Sequence, residues 1–421
     1  MNRSHGPARL PALAHRRFAL VLGGFLLVCC LTASRCETRA TQPWVTSSGC
    51  GFVDRDGRPV VLRGFDLIAP EAPSVWSTAV ELGANFVRIP VAWSEIEPLP
   101  PTSAHHWNAR LLKAIDREVA YFRRRGVSVL LDFHQFRWSP YFDSDADGIP
   151  AWFYEERGYP RSSAGKDKAI ADWWTDPAGL RAYSSFAVMM ATRYRSDPNV
   201  IGYELFNEPA TGALGESHAA TQAVLGWTAR LRGAIRAVDP LRTIFVQTRG
   251  GGDLGLKNAD FSVFGSLDNL AVDFHSYFNA EPDTGYSADG ERWVPDWEGA
   301  HLHSSVTYSG TEEKQAEFLE IPLAKTRELG VPLLVGEWGV PNDTESGPVY
   351  QRQMLRLLKR AGVSWARWDL GTVSSFGLLA ESGNSEQLLA QLRAALREAP
   401  QATTSCGAPS PSGPIVLRSS R

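Results

Sequence analysis

Charged and polar side chains recur at the ends of short apolar runs along this chain. Arg88 lies in one, and Asp132 and His134 close the next. Asn207-Glu208-Pro209 follows a third, His275 and Tyr277 end another, and Glu337-Trp338 falls near the end of a further one. Trp365, Trp368 and Asp369 belong to the last. A charge inside an apolar strand is costly unless it is paired or used. Charges confined to one end of neighbouring parallel strands converge on a common rim. Two glutamates on such a rim, Glu208 and Glu337, suit a reaction that needs one protonated carboxylic acid and one ionised carboxylate, as glycoside cleavage does. Arg88 and the Tyr277 hydroxyl would keep one glutamate ionised. Partial burial near tryptophan would raise the pKa of the other.

Elements that position these residues follow from the same pattern. Eight apolar runs, at residues 60–67, 85–91, 127–134, 200–208, 243–248, 270–277, 332–339 and 363–370, are rich in Val, Ile, Leu and Phe, as strands buried on both faces are. Helical periodicity separates most of them, at 109–125, 180–194, 221–238, 312–329, 349–359 and 385–397. Gly126, Gly330 and Gly362 stand where helix C-caps belong. The interval after the fifth run has no clear helix. Eight strand-then-helix units imply a closed (β/α)8 TIM barrel, preceded by a short N-terminal β-hairpin turning at Asp56-Gly57. An open doubly wound sheet fits less well, since no glycine-rich phosphate loop follows the first strand. Two long loops, 135–175 and 278–310, follow strand ends and carry Trp138, Trp152, Trp173, Trp174, Trp293 and Trp297. These rings serve either to stack on sugar or to fill the core.

Composition narrows the function classes. The chain has 421 residues, a net charge of −3 and 14 Trp, with no basic stripe, which argues against a nucleic-acid partner. His15, Arg16 and Arg17 precede an apolar stretch of about 15 residues and then small residues, so residues 1–40 read as an export signal or an uncleaved anchor. Membrane contact is expected only through that segment, if it is retained. Residues 41–400 form the barrel domain, and 401–421 read as a disordered tail rich in Ser, Pro and Gly. Cys50 and Cys406 flank the barrel, whose ends lie close together; they form either a disulfide or two unpaired thiols. No cofactor is implied. The rim offers no Cys and no His-x-x-x-His, so no metal is expected there. Asp143 to Gly148 begins like a calcium loop but has Tyr154 where the twelfth-position Glu belongs, and reads as an acidic surface loop. His301 and His303 lack a third ligand. Glu204 and Asp132 share a strand face with Glu208 and His134 and read as buried hydrogen-bonding residues.

The segment Gly202-Tyr203-Glu204-Leu205-Phe206-Asn207-Glu208-Pro209 resembles the strand-four motif of glycoside hydrolase family 5. Leu334-Val335-Gly336-Glu337-Trp338-Gly339 resembles its strand-seven motif, and Arg88, His134, His275 and Tyr277 fall in register with the family pattern. The resemblance implies Glu208 as general acid then base, Glu337 as nucleophile, and Asn207 on the sugar 2-hydroxyl. It implies that Tyr277 and Arg88 orient Glu337, that His134 and His275 bond substrate or catalytic groups, and that Trp368 forms the sugar platform. It points to a secreted retaining hydrolase of β-linked glycans, of endo-β-glucanase or mannanase type. The runs 131–135 and 148–152 resemble the endoglycoceramidase branch, whose members cut glycosphingolipids, so the expected partner is a carbohydrate or a glycolipid. A non-catalytic carbohydrate-binding barrel is the reading from another class.

Overall fold

The computed structural model describes residues 40–277 and 312–406, apart from 69, 103, 252–254, 373 and 381–382. Three short strands come first: β1 (Val45–Ser48), β2 (Gly51–Asp54) and β3 (Pro59–Val60). They make an antiparallel sheet in the order β1-β2-β3, so the expected hairpin gains one strand in front of it. Eight parallel strands then close a barrel: β4 (Arg63–Asp66), β5 (Phe86–Ala92), β6 (Ser128–His134), β7 (Val200–Glu204), β8 (Thr243–Val246), β9 (Leu270–Tyr277), β10 (Leu333–Gly339) and β11 (Ser364–Arg367). Each expected run supplies one barrel strand. Six expected helices form, and helices at Pro73–Leu82 and Ser163–Trp173 are additional. Between β8 and β9 the described residues contain one 3₁₀ turn, Phe261–Phe264, and no α-helix.

Alternation along the strands sorts side chains into two cores. Val87, Ile89 and Val91 of β5 face outward into the core that also holds Leu112, Ile115, Val119 and Phe122 of helix Ala109–Arg123. Phe86, Leu130, Ile201, Phe245, Ala271, Leu334 and Ala366 instead form a separate cluster with Val45 and Phe52 of the small sheet. The three-stranded sheet therefore plugs the N-terminal end of the barrel, with Phe52 stacked on Phe245 at 5.9 Å. One step further up the strands, the interior positions turn polar: Arg88 follows Phe86, Asp132 follows Leu130, Gln247 follows Phe245, and Asp273 follows Ala271.

Cys50 and Cys406 form a disulfide across 356 residues. The Cys50 amide also donates to the Thr404 carbonyl (3.1 Å). The start of the expected tail, residues 401–406, is thus held against the plug. Residues 407–421, the signal segment, Trp293, Trp297, His301 and His303 lie outside the described residues. Among the described residues no helix is long and apolar enough to cross a membrane.

Candidate active site

Arg88 is the hub of the polar layer. It is fully buried in β5. Its Nε donates to Glu204 Oε2 (2.7 Å), Nη1 to Asp66 Oδ1 (2.9 Å) and Glu337 Oε1 (2.7 Å), and Nη2 to Asn207 Oδ1 (2.8 Å), with Asp132 Oδ2 at 3.0 Å. Burial opposes its charge, but the surrounding carboxylates raise its pKa and keep the guanidinium ionised. Burial in turn pushes Asp66 and Glu204 well above the usual carboxylate range, against the pull of Arg88. Glu204 and Asp132 thus take the structural role the sequence suggests.

Glu337 reaches the same hub because β10 carries a bulge. The register with β9 shifts between Val335 and Glu337. Without the extra residue, alternation from inward-facing Leu334 would turn Glu337 out of the barrel. The residue in the bulge must be glycine, since a Cβ on Gly336 would lie 2.2 Å from Asp273 Oδ1. Arg88 holds Glu337 Oε1, and the Tyr277 hydroxyl donates to Oε2 (2.6 Å). Burial pushes this carboxyl up. The pull of His275, Arg88 and His134, with the Tyr277 hydrogen bond, overrides burial and holds it below its ordinary value.

Glu208 stands beyond the strand rather than at its end. β7 stops at Glu204, four residues earlier than the apolar pattern suggests. The chain then follows the rim, with the Asn207 amide donating to the Phe133 carbonyl (3.2 Å). Glu208 has a φ of +44°, the left-handed region that non-glycine residues seldom adopt. Its amide donates to Gln247 Oε1 (2.8 Å) and its carbonyl accepts from Gln135 Nε2 (2.9 Å), which fix that conformation. The side chain is 12% exposed, and its Oε1 lies 2.7 Å from His275 Nδ1. Burial raises the Glu208 pKa, the His275 contact opposes this, and the Glu337 charge adds to it. A carboxylate oxygen of Glu208 and one of Glu337 lie within 4.8 Å of each other.

The remaining residues line the same mouth. His134 Nδ1 bonds Asp132 Oδ2 (2.6 Å). Burial opposes its charge, but Asp132 prevails, and its pKa is raised to about 9. Its ring stacks parallel to Trp368 at 5.8 Å, and Trp368 is half-buried at the edge of the opening. Asn207 is locked between Arg88 and the Gln135 carbonyl, to which Nδ2 donates (3.1 Å). All eight sequence-selected residues therefore belong to one network or its rim. Trp138, Trp152, Trp173 and Trp174 do not: they are buried, and Trp138 packs edge-on against Trp173 and Trp174 beneath the long loop. Asp66, Gln247 and Gln135 escaped the sequence reading. Asp66 falls late in its apolar run, the signal that picked out His275, and Gln247 falls late in its own but carries no charge to mark it.

Comparison with known proteins agrees with this fold. The model of the cellulase family, glycosyl hydrolase family 5, matches residues 53–374. The chain is 23% identical over 232 residues to an endoglucanase of Paenibacillus polymyxa, covering 50% of this chain and 51% of that one. It is 27% identical over 191 residues to endoglycoceramidase I of Rhodococcus hoagii, covering 40% of this chain and 37% of the other. The matches thus span about half or less of these relatives' length. The structure of endo-glycoceramidase II from Rhodococcus sp. in a ganglioside GM3 complex superposes with a TM-score of 0.63 at 20% identity, over 82% of this chain and 81% of that one. The chain belongs to the cellulase family, glycosyl hydrolase family 5.

Proposed function

We propose that this protein is a retaining β-glycoside hydrolase working by double displacement. The observation that carries this reading is the pair Glu208 and Glu337: their carboxylate oxygens approach within 4.8 Å, the first is pushed toward its acid form, and the second is held ionised. Retention calls for carboxyl groups about 5–5.5 Å apart, whereas inversion leaves room for a water at about 6.5–9.5 Å. Glu337 attacks the anomeric carbon while Glu208 gives its proton to the departing glycosidic oxygen. Glu208, now ionised, takes a proton from the water that attacks the glycosyl-enzyme ester and frees Glu337. Arg88 and Tyr277 aim the attacking carboxylate, and the second Nδ2 hydrogen of Asn207 is free for a sugar hydroxyl. Trp368, braced by His134, offers its face to the sugar ring.

The substrate class is a β-linked glycan, consistent with the endoglucanase relative. Glycosphingolipid cleavage is the second reading, supported by the endoglycoceramidase relative and by the resemblance of residues 131–135 and 148–152. We also read the chain as exported, since a disulfide persists in an oxidising compartment. Sequencing the N-terminus of the mature protein should find it after residue 30, and an intact Met1 on soluble protein counts against export. The function is tested by a screen of β-glucans, mannans, glycosphingolipids and aryl β-glycosides, followed by proton NMR of the first product. The β-anomer is expected to appear first. Initial release of the α-anomer, or no turnover of any substrate, overturns the reading.

A further inference from the structure

Gln247 fixes the Glu208 backbone through its oxygen, and its nitrogen has contacts that this role leaves unexplained. It ends the β8 run and is 2% exposed. Its Oε1 accepts the Glu208 backbone amide (2.8 Å). Its Nε2 stands beside two acceptor oxygens, Glu204 Oε1 at 2.6 Å and Asp273 Oδ2 at 3.3 Å, and beside the His275 Nε2 ring nitrogen at 2.9 Å. The amide cannot be turned over. Rotation would set its nitrogen against the Glu208 backbone N–H, donor against donor, and lose that bond.

The geometry points to Gln247 as a positioning residue that fixes His275 as the neutral tautomer carrying its proton on Nδ1, donated to Glu208. The argument is one of donors and acceptors. The Gln247 NH₂ has two hydrogens: one goes to Glu204, and the other faces His275 Nε2 and, at longer range, Asp273. A proton on His275 Nε2 would point at a donor. The other acceptor for that proton, Asp273 Oδ2, stands farther off at 3.6 Å, against 2.9 Å for the Gln247 nitrogen. Asp273 Oδ1 is already taken by the amides of Phe274 (2.7 Å) and Gly336 (2.8 Å). Nε2 therefore keeps its lone pair, and the ring proton sits on Nδ1, 2.7 Å from Glu208 Oε1 and 3.4 Å from Glu337 Oε2.

Charge pulls the other way. The groups facing the ring are Glu208, Glu337 and Asp273, and against burial they raise the His275 pKa well above its ordinary value. The fixed amide decides the balance, because an imidazolium here loses the Gln247 bond and has only the more distant Asp273 carboxylate, at 3.6 Å, for its second proton. Under the hydrolase reading, a neutral His275 leaves Glu208 free of an adjacent cation and so able to hold its proton as an acid. With His275 neutral its pull on Glu337 is lost, and Arg88, His134 and the Tyr277 hydroxyl carry the ionisation of Glu337.

The test is ¹⁵N NMR of the histidine rings in the full chain at pH 7 without substrate, with His275 assigned by the signals lost in His275→Gln. The expected spectrum shows a protonated Nδ1 and an unprotonated Nε2. Gln247→Glu, which puts an acceptor opposite Nε2, should protonate both nitrogens at the same pH. Gln247→Met, which removes the donor, should do the same and serves if the charged variant does not fold. Two ring protons on native His275, a native proton on Nε2, or ring signals unmoved by either folded variant overturn the proposal. These signals are read apart from turnover, so failure of the hydrolase reading is seen separately. Where turnover is measured, Gln247→Glu should lower the alkaline limb of kcat/KM by about one pH unit or more, the effect of a cation placed beside Glu208. An unmoved limb overturns the positioning role.

Discussion

Glu337 depends on donors contributed from other strands, and each has a separable effect. The Tyr277 hydroxyl from β9 and the Arg88 guanidinium from β5 bind different oxygens of the carboxylate. Removing the hydroxyl as Tyr277→Phe leaves Arg88 in place and lets the Glu337 pKa rise. A nucleophile must be ionised, so activity lost on acidification is then lost at a higher pH. A hydrogen bond to a charged group contributes about 1.5–3 kcal/mol, and one pKa unit is about 1.4 kcal/mol. The acid limb of kcat/KM for Tyr277→Phe should therefore move up by about one unit or more, while the alkaline limb stays. A drop in rate with both limbs unmoved would mean that the hydroxyl acts on substrate rather than on Glu337. At this scale the sequence was informative wherever a polar residue interrupts an apolar run, which is how Arg88, His134, His275 and Glu337 stand out. It was less so for Gln247, whose neutral side chain carries no charge penalty to flag it. It said nothing of the left-handed Glu208, because that conformation is fixed by Gln247 and Gln135 from distant parts of the chain.

Among the elements, two bulges decide where side chains point. The register of β6 against β7 shifts at Val129 and Leu130, which places both Ile201 and Glu204, an odd number of residues apart, toward the interior. The register of β9 against β10 shifts before Glu337. A period of two read from the sequence locates strands but not such shifts, and so assigns faces correctly only up to the bulge. The helix Pro73–Leu82 was missed for a local reason: it opens with Pro at its first turn and buries only Val75, Trp76, Ala79 and Leu82, a narrow stripe in a short segment. The plug at the barrel's closed end makes its own prediction. The Cys50–Cys406 bridge joins the β1–β2 turn to the segment after the last helix, across 356 residues. Replacing both cysteines by serine should cost about 2–4 kcal/mol of stability. Urea denaturation of the two proteins measures this. Equal midpoints would show that the hydrogen bonds of residues 403–406 hold the plug without the bridge.

For the whole molecule, the division between ends is the organising feature. The apolar interior layer and the small sheet close one end, and Asp66, Arg88, Asp132, Glu204, Asp273 and Glu337 gather beyond that layer toward the other. That polarity was legible because several runs place polar residues late, as at Asp66, His134, Glu208, His275 and Glu337. The long loops were less legible. Residues 135–174 contribute a buried tryptophan cluster rather than sugar platforms, since indoles that pack on one another and on Phe206 leave no free face. The account stands on Glu208 and Glu337 sharing one task across this open end. The most direct measurement is to treat the protein with a 2-deoxy-2-fluoro β-glycoside of the sugar it turns over, bearing a good leaving group, and to locate the trapped ester by peptide mass spectrometry. The account predicts one sugar per chain, attached to Glu337, with turnover lost in step with labelling. A label on Glu208 or any other residue, or inactivation without an ester, would contradict it.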